Sequence, residues 1–136
     1  MTGLSDTVAR ATSIWSATLS KCPEVTSLFE ECHLSLRVSQ AAALLGLPNK
    51  TALRRLLVAH RLPPFQSLRN WCYVVHLTER FENEGALSAW ALRRGGDPAS
   101  YYKLVRETTG HSWSEVKESG PEWVRRMALQ VWAPHL

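Results

Sequence analysis

The segment Leu53-Arg54-Arg55-Leu56-Leu57 is matched later in the same chain by Tyr101-Tyr102-Lys103-Leu104-Val105. The first, fourth and fifth positions are apolar in both copies, and Arg55 aligns with Lys103. Downstream, Leu62-Pro63-Pro64-Phe65 aligns with Gly110-His111-Ser112-Trp113. Upstream, at an offset one residue longer, Val38, Ser39, Ala42 and Gly46 align with Leu87, Ser88, Ala91 and Gly95. The chain therefore contains an internal repeat, which predicts two copies of one supersecondary unit.

Each copy has the pattern of a short helix, a glycine turn, a longer helix, a turn and another short helix. A small residue, Ala42 or Ala91, stands four positions before the turn glycine, where the two helices of a pair would cross. A small side chain there lets the two backbones approach closely, which favours a helix-turn-helix unit. The alternative is a helical solenoid, but two copies are few for a solenoid and one long helix joins them.

Helix start and stop signals divide the rest of the chain. Apolar residues at helical spacing predict a long helix over residues 66–83, and the most strand-like run, residues 71–76, lies inside it. The sequence predicts an all-α fold in which two helix-turn-helix subdomains are joined by a long central helix, with extra N- and C-terminal helices. The predicted domains are an N-terminal helix at 1–22, a first subdomain at 23–70, a linker helix at 71–84, a second subdomain at 85–118 and a C-terminal helix at 119–136.

Charge is distributed unevenly between the two copies. The net charge is +4, and residues 37–78 contain six lysines and arginines but no aspartate or glutamate. Residues 79–117, in contrast, carry six acidic and six basic residues. Because a solvated surface usually mixes both signs, the acid-free segment indicates an anionic partner for the first copy.

The combined pattern resembles the DNA-binding domain of the AraC/XylS family of bacterial transcription regulators. In the first unit, the matching residues are Leu36, Val38, Ala42, Gly46, Leu53, Leu56, Leu57 and Phe65. In the second unit they are Leu87, Ala91, Gly95, Asp97, Pro98, Tyr101, Val105, Gly110 and Trp113. The resemblance covers residues 25–117 and implies a sequence-specific regulator that inserts two recognition helices into successive major grooves of double-stranded DNA. The chain leaves no room for the family's usual β-rich effector domain, so no small-molecule inducer site is expected.

Helical periodicity turns the leucines of the first recognition helix toward the core and leaves a polar face outside. The family's base-contacting positions fall on Thr51, Arg54 and Arg55, and on Ser100, Tyr102 and Lys103. The complete set of predicted DNA-binding residues is Asn49, Lys50, Thr51, Arg54, Arg55, Ser100, Tyr102, Lys103, Arg106, Arg93 and Arg94. Arginine suits this role because it can donate two hydrogen bonds to guanine or pair with phosphate.

Several alternatives remain open at this point. Asn49 is either an adenine reader or the cap of its helix, and Arg93 and Arg94 either bind phosphate or form a solvated helix end. Leu62 stands where the family has a glycine, and Gly96 where it has an aromatic residue. Leu62, the altered turn spacings and the neutral second unit favour a second hypothesis: a protein-interaction module on a helix-turn-helix scaffold that has lost DNA binding.

The sequence predicts no enzyme, no cofactor, no catalytic residue and no metal site. Cys22, Cys32 and His33 do not fit a standard zinc spacing, so we expect buried thiols instead. Without a signal-peptide pattern or a membrane-spanning apolar run, we expect a cytoplasmic protein with no membrane partner. Beyond DNA, the partners considered are RNA polymerase, another regulator, and a second copy of the chain bound through the terminal helices.

Overall fold

The computed structural model describes residues 13–28, 37–81, 87–93 and 96–136. All regular structure within these ranges is helical, so the predicted all-α class is confirmed. Residues 13–19 form α1. The helices that follow are α2 (Pro23–Ser27), α3 (Val38–Leu44), α4 (Lys50–Ala59), α5 (Phe65–Arg80), α6 (Leu87–Arg93), α7 (Pro98–Thr109), α8 (Trp113–Ser119) and α9 (Pro121–Trp132), and a 3-10 turn covers Ala133–His135.

Side-chain caps fix the starts of three helices. The Asn49 side-chain oxygen accepts a hydrogen bond from the Ala52 amide at 2.9 Å, and Asp97 accepts one from the Ala99 amide at 3.0 Å. Ser112 caps α8 through the Glu115 amide at 3.3 Å, and the Glu115 carboxylate in turn accepts from the Ser112 amide at 3.4 Å. These bonds satisfy amides that have no partner inside the helix, which is why the helices begin where they do.

Helix α2 ends at Ser27, where the Leu28 amide donates to the Val25 carbonyl in a tight turn. One predicted helix end lies further along the chain than the observed end. The long helix was expected over 66–83, but it spans Phe65–Arg80. It is continuous across residues 70 and 71, where the predicted first subdomain meets the predicted linker helix. Pro64, which cannot donate a backbone hydrogen bond, precedes its first turn.

Helix α4 ends in a Schellman motif centred on Arg61. Arg61 has a φ of 54°, the Leu62 amide donates to the Leu57 carbonyl at 2.8 Å, and the Arg61 amide donates to the Val58 carbonyl at 3.0 Å. The left-handed position after α4 is therefore Arg61, rather than Leu62 as the alignment with Gly110 indicated. Leu62 is instead buried, which is typical of the apolar residue that closes this motif.

The core surrounds α5. Its residues Trp71, Cys72, Tyr73, Val74 and Val75 are buried in succession, so no side of this stretch faces water. Helices α7 and α9 both pack on α5, while α3 packs on α4, and α6 on α7. The buried apolar side chains form one continuous cluster.

The C-terminal helix is part of this core. Val124, Ala128 and Trp132 of α9 are fully buried, and the Trp132 indole donates to the Ser67 hydroxyl at 3.0 Å. Trp15 of α1 stacks on Trp132 with ring centroids 4.9 Å apart. Trp15 of α1 and Trp132 of α9 therefore pack against each other within one chain.

Arg125 of α9 forms ion pairs that link this helix to α5. Its guanidinium pairs with Glu79 of α5, and with Glu122 of its own helix at 2.6 Å. The arginine side chain is mostly buried, and this desolvation lowers its pKa from the ordinary range. The two carboxylates offset part of the hydration that this guanidinium loses.

Replacing Arg61 by Gly is expected to raise the free energy of unfolding by about 1 kcal/mol, because glycine adopts the left-handed conformation without a Cβ penalty. Chemical denaturation of the wild type and Arg61→Gly measures this difference. The matched control is Arg61→Ala, which also removes the side chain but keeps the strain. Equal gains in the two variants would contradict the backbone explanation.

Replacing Trp132 by Ala is expected to lower the free energy of unfolding by about 3–5 kcal/mol, because it removes a large buried side chain. Val131 is half exposed on the same helix, so Val131→Ala should change stability by less than about 1 kcal/mol. Urea unfolding monitored by circular dichroism compares the two. Similar losses would mean that α9 does not pack as described.

Candidate nucleic-acid interface

Helix α4 has one buried face and one exposed face. Leu53 and Leu57 are buried against the core, and Leu56 is partly buried beside them. Lys50, Thr51, Arg54 and Arg55 are all exposed. The faces agree with the sequence prediction, because a helix that fixes Leu53 and Leu57 inward turns Arg54 and Arg55 outward.

The cap role of Asn49 follows from its hydrogen bond to the Ala52 amide. A bidentate contact to adenine uses both the oxygen and the nitrogen of an asparagine amide. The cap directs this oxygen at the Ala52 amide in the first turn of α4. Asn49 therefore fixes the start of α4 beside Lys50 and Thr51.

The basic side chains of α4 are not neutralised locally. No ion pair within the described ranges involves Lys50, Arg54 or Arg55. This agrees with the acid-free sequence, since the nearest carboxylates along the chain lie outside residues 37–78. The exposed face of α4 is therefore a one-signed cationic surface that attracts polyanions.

Helix α7 has a similar division between faces but a different charge. Tyr101, Leu104 and Val105 are buried. The predicted contact residues Ser100, Lys103 and Arg106 are exposed, and Tyr102 is half-buried. Lys103 forms an i,i+4 ion pair with Glu107, with a nitrogen–oxygen distance of 3.8 Å. Since both side chains are well exposed, this pair adds little stability, but it reduces the positive field of α7.

The remaining predicted contacts lie at the end of α6. Arg93 is exposed in the last turn of that helix. Arg94 lies outside the described residues. The α4 set is held by the α3–α4 packing, and the α7 set by α5 and α6. The two predicted recognition surfaces therefore depend on different neighbours.

Equivalent hydrogen bonds end the first helix of each copy. The Leu47 amide donates to the Ala42 carbonyl at 2.9 Å, and the Gly96 amide donates to the Ala91 carbonyl at the same distance. Ala42 and Ala91 are both fully buried, as expected for residues at a helix crossing. Gly46, the turn glycine of the first copy, has a φ of 72°. Gly95 lies outside the described residues.

The glycine at position 96 is explained by Tyr101. A Cβ built on Gly96 would lie 3.1 Å from the Tyr101 hydroxyl and 3.2 Å from its ring. Tyr101 is itself held by Trp90 and Tyr73, with ring centroids 5.5 and 6.0 Å away. The Tyr101 ring thus fills the space beside Gly96, which leaves no room for a large side chain at this position.

The described cysteines have the character of core residues. Cys22 and Cys72 are buried, and burial raises the pKa of the Cys22 thiol above its ordinary value. Such a thiol stays protonated at neutral pH, unlike a metal ligand or a nucleophile. Within the described ranges, no three His, Cys, Asp or Glu residues are grouped to hold a metal ion. Cys32 and His33 lie outside those ranges.

Neither the helices nor the comparisons with known proteins identify the site. No helix in the described part of the chain is long and apolar enough to cross a membrane. Comparisons of the chain with family models, curated proteins and solved structures found no match.

Sequence reasoning did not include Arg37 and Arg69 in the predicted site. Arg37 is exposed immediately before α3, and Arg69 is partly buried in the first turns of α5. Both belong to the acid-free segment, which was the available signal. Their placement relative to α4 could not be obtained from periodicity, because it depends on how three separate helices pack.

Replacing Gly96 by Ala is expected to destabilise the protein by about 1 kcal/mol, because the new methyl group overpacks against Tyr101. Thermal melting of Gly96→Ala, Tyr101→Phe and the double variant tests the contact. Removal of the tyrosine hydroxyl should recover part of the loss. Additive effects of the two changes would show that they do not interact.

Proposed function

We propose that the protein is a sequence-specific DNA-binding transcription regulator of the AraC/XylS type, with α4 and α7 as its two recognition helices. The observation that supports this most is the exposed face of α4. Thr51, Arg54 and Arg55 project from a helix whose opposite face is fixed by Leu53 and Leu57. A rigid helix with a cationic outer face has the form of an element that enters the major groove.

The chemistry of α4 suits both kinds of DNA contact. The guanidinium groups of Arg54 and Arg55 can bind guanine edges in two hydrogen bonds or pair with phosphates. Thr51 has a hydroxyl for hydrogen bonding and a methyl group for contact with thymine. Lys50, at the first position of the helix, adds a flexible cation that suits a phosphate.

Helix α7 is proposed to contribute position more than base readout. Ser100, Tyr102 and Arg106 provide polar groups, whereas Lys103 is paired with Glu107. A surface with less net charge adds fewer phosphate contacts and less counterion release. The regulator would therefore obtain most of its electrostatic affinity from its first unit. RNA polymerase, a second regulator and a second copy of the chain remain proposed partners.

The alternative function is a protein-interaction module on the same scaffold. It is favoured by three large apolar side chains in the exposed last turns of helices. Leu44 of α3 is 68 % exposed, Val58 of α4 71 % and Leu92 of α6 65 %. Val58 is important for this choice because it lies on the proposed recognition helix. A partner protein could cover such residues, although single exposed apolar side chains are also common on protein surfaces.

Replacing Arg55 by Ala is expected to lower affinity for a specific DNA site by about 1–3 kcal/mol and to relax preference at one base pair, if Arg55 reads a base. If it pairs with a phosphate instead, binding should weaken on all sequences, and the salt slope should fall by about one. The same titration applies to Arg54→Ala. Lys103→Ala should have a smaller effect, because Glu107 already pairs with Lys103.

Fluorescence anisotropy with selected and random duplexes at several salt concentrations makes this measurement. The matched control is Lys117→Ala, which removes one positive charge from α8, outside both proposed recognition helices. If all variants bind DNA as the wild type does, α4 is not the recognition helix. If the wild type binds no duplex even at low salt, the interaction-module hypothesis replaces the regulator.

A further inference from the structure

The C-terminal end of α4 is in contact with a residue 40 positions earlier in the chain. The Lys21 ammonium donates a hydrogen bond to the Arg61 carbonyl at 3.1 Å. Lys21 follows α1, whereas Arg61 is the left-handed residue of the Schellman motif that ends α4. The contact therefore joins the N-terminal part of the described chain to the last turn of the proposed recognition helix.

The last turn of α4 lies at the surface. Residues 58–61 are all exposed, so this turn gains little free energy from burial. The left-handed conformation of Arg61 is also unfavourable, because it brings the Cβ close to a carbonyl oxygen. The last carbonyls of a helix form the negative end of its dipole, where a lysine charge is favourable. Lys21 thus supplies both a hydrogen bond and a positive charge to a helix end that contains an unfavourable residue.

The segment that carries Lys21 is anchored on both sides. Before it, Trp15 stacks on Trp132 of α9 with ring centroids 4.9 Å apart. After it, Cys22 and Val25 are buried in the core. The backbone beside Lys21 is fixed by these contacts, so its side chain extends to α4 from a defined position.

A second charged residue of this segment lies near the same helix end. The Cys22 thiol donates to the Glu24 carboxylate, with sulfur and oxygen 3.4 Å apart. Hydrogen bonds from the Glu24 backbone amide and from this thiol lower the pKa of the Glu24 carboxyl, and the nearby charge of His60 lowers it further. His60 is the C-cap of α4 and directly precedes Arg61. Two adjacent residues at the end of α4 thus interact with one short segment.

We propose that Lys21 is a positioning residue for α4, because its hydrogen bond holds Arg61 in the left-handed conformation and so keeps the last turn of the recognition helix in place. Helix α3 packs on α4, whereas α7 and α9 pack on α5. The Lys21 bond adds a connection from α4, through the stacked tryptophans, to α9. The N-terminal helix then contributes to the shape of the DNA-binding surface.

The effect on DNA rests on the proposed DNA-binding function, whereas the order of the helix end does not. Arg54 and Arg55 lie about one turn before the exposed end of α4, so fraying of that end leaves their positions less well defined. If the binding-competent helix is present in only a fraction of molecules, the apparent affinity falls by that fraction. Loss of the Lys21 bond should therefore weaken DNA binding without removing any DNA contact.

Amide hydrogen exchange, measured by NMR on the full chain without DNA, tests the bond itself. Lys21→Met keeps the length of the side chain but removes the charge and the donor. The amides of His60, Arg61 and Leu62 donate to carbonyls of α4, and we expect them to exchange about two- to tenfold faster, the effect of one lost hydrogen bond. Lys21→Arg, which can still donate, should exchange like the wild type.

Two controls separate a local effect from general destabilisation. The Gly110 amide donates to the Arg106 carbonyl at 2.8 Å at the end of α7, and it should exchange at the wild-type rate in Lys21→Met. Lys117→Met, which removes a lysine from α8, should leave all of these amides unchanged. Equal acceleration at Leu62 and Gly110, or wild-type exchange throughout Lys21→Met, overturns the proposal.

Fluorescence anisotropy with duplex DNA tests the consequence for binding. Lys21→Met should weaken binding about two- to fivefold, within the effect of one hydrogen bond, and should leave the salt slope unchanged. In the Arg61→Gly background the same substitution should cost less, because glycine adopts the left-handed conformation without the bond. A salt slope lower by about one would mean that Lys21 neutralises a phosphate directly. That result, or an equal loss in both backgrounds, overturns the positioning role.

The two measurements also separate this inference from the proposed function. If the wild type binds no duplex but Lys21→Met exchanges faster at the end of α4, the regulator is overturned and the hold of Lys21 on α4 is supported. If the wild type binds DNA but Lys21→Met exchanges normally, the positioning role is overturned and the regulator stands. Faster exchange with unchanged DNA affinity overturns the role of Lys21 in DNA binding.

Discussion

The structure depends on the burial of one helix from every side. Five consecutive residues of α5, from Trp71 to Val75, are buried, and a helix can exclude water from all its faces only if other elements surround it. Helices α7 and α9 pack directly on it, and Tyr73 stacks on Tyr101 of α7. The buried Thr78 hydroxyl also has its hydrogen bonds inside the helix, because it donates to the Val74 and Val75 carbonyls. The central helix is therefore the support on which α7 and α9 pack, and the buried apolar side chains of the described residues form one hydrophobic cluster.

Most of the helices could be predicted because their ends are determined locally. Asn49, for which a cap was one of two alternatives, and Asp97 both cap their helices, and Gly110 takes the left-handed conformation at the end of α7. Arg61 was missed because arginine has no general preference for that conformation, and the Schellman bonds appear only in three dimensions. The fit of Gly96 against Tyr101 was also missed, since it depends on where a side chain five positions away is held by its other neighbours.

One part of the candidate site could likewise be predicted from the sequence, and another part could not. The exposed face of α4 followed from the spacing of Leu53 and Leu57, because helical periodicity determines faces without any tertiary information. The Lys103–Glu107 pair has an i,i+4 spacing that a sequence can reveal, although the balanced charge of the second copy was noted only as a total. The contact of Lys21 with the end of α4 was not predicted. Lys21 and Arg61 lie 40 positions apart, and only packing brings the lysine ammonium to the arginine carbonyl.

The unequal charge of the two copies has a physical consequence for the proposed regulator. Each additional phosphate contact strengthens binding to all DNA sequences, and the excess of non-specific sites in a genome makes that gain costly for specificity. A second recognition helix as basic as α4 would raise specific and non-specific affinity together. With Lys103 paired to Glu107, α7 can add hydrogen bonds and shape contacts from Ser100 and Tyr102 with a smaller increase in non-specific attraction. Taken alone, the neutral second copy favours the loss of DNA binding. It also suits a regulator in which α4 provides the electrostatic affinity and α7 provides selective contacts.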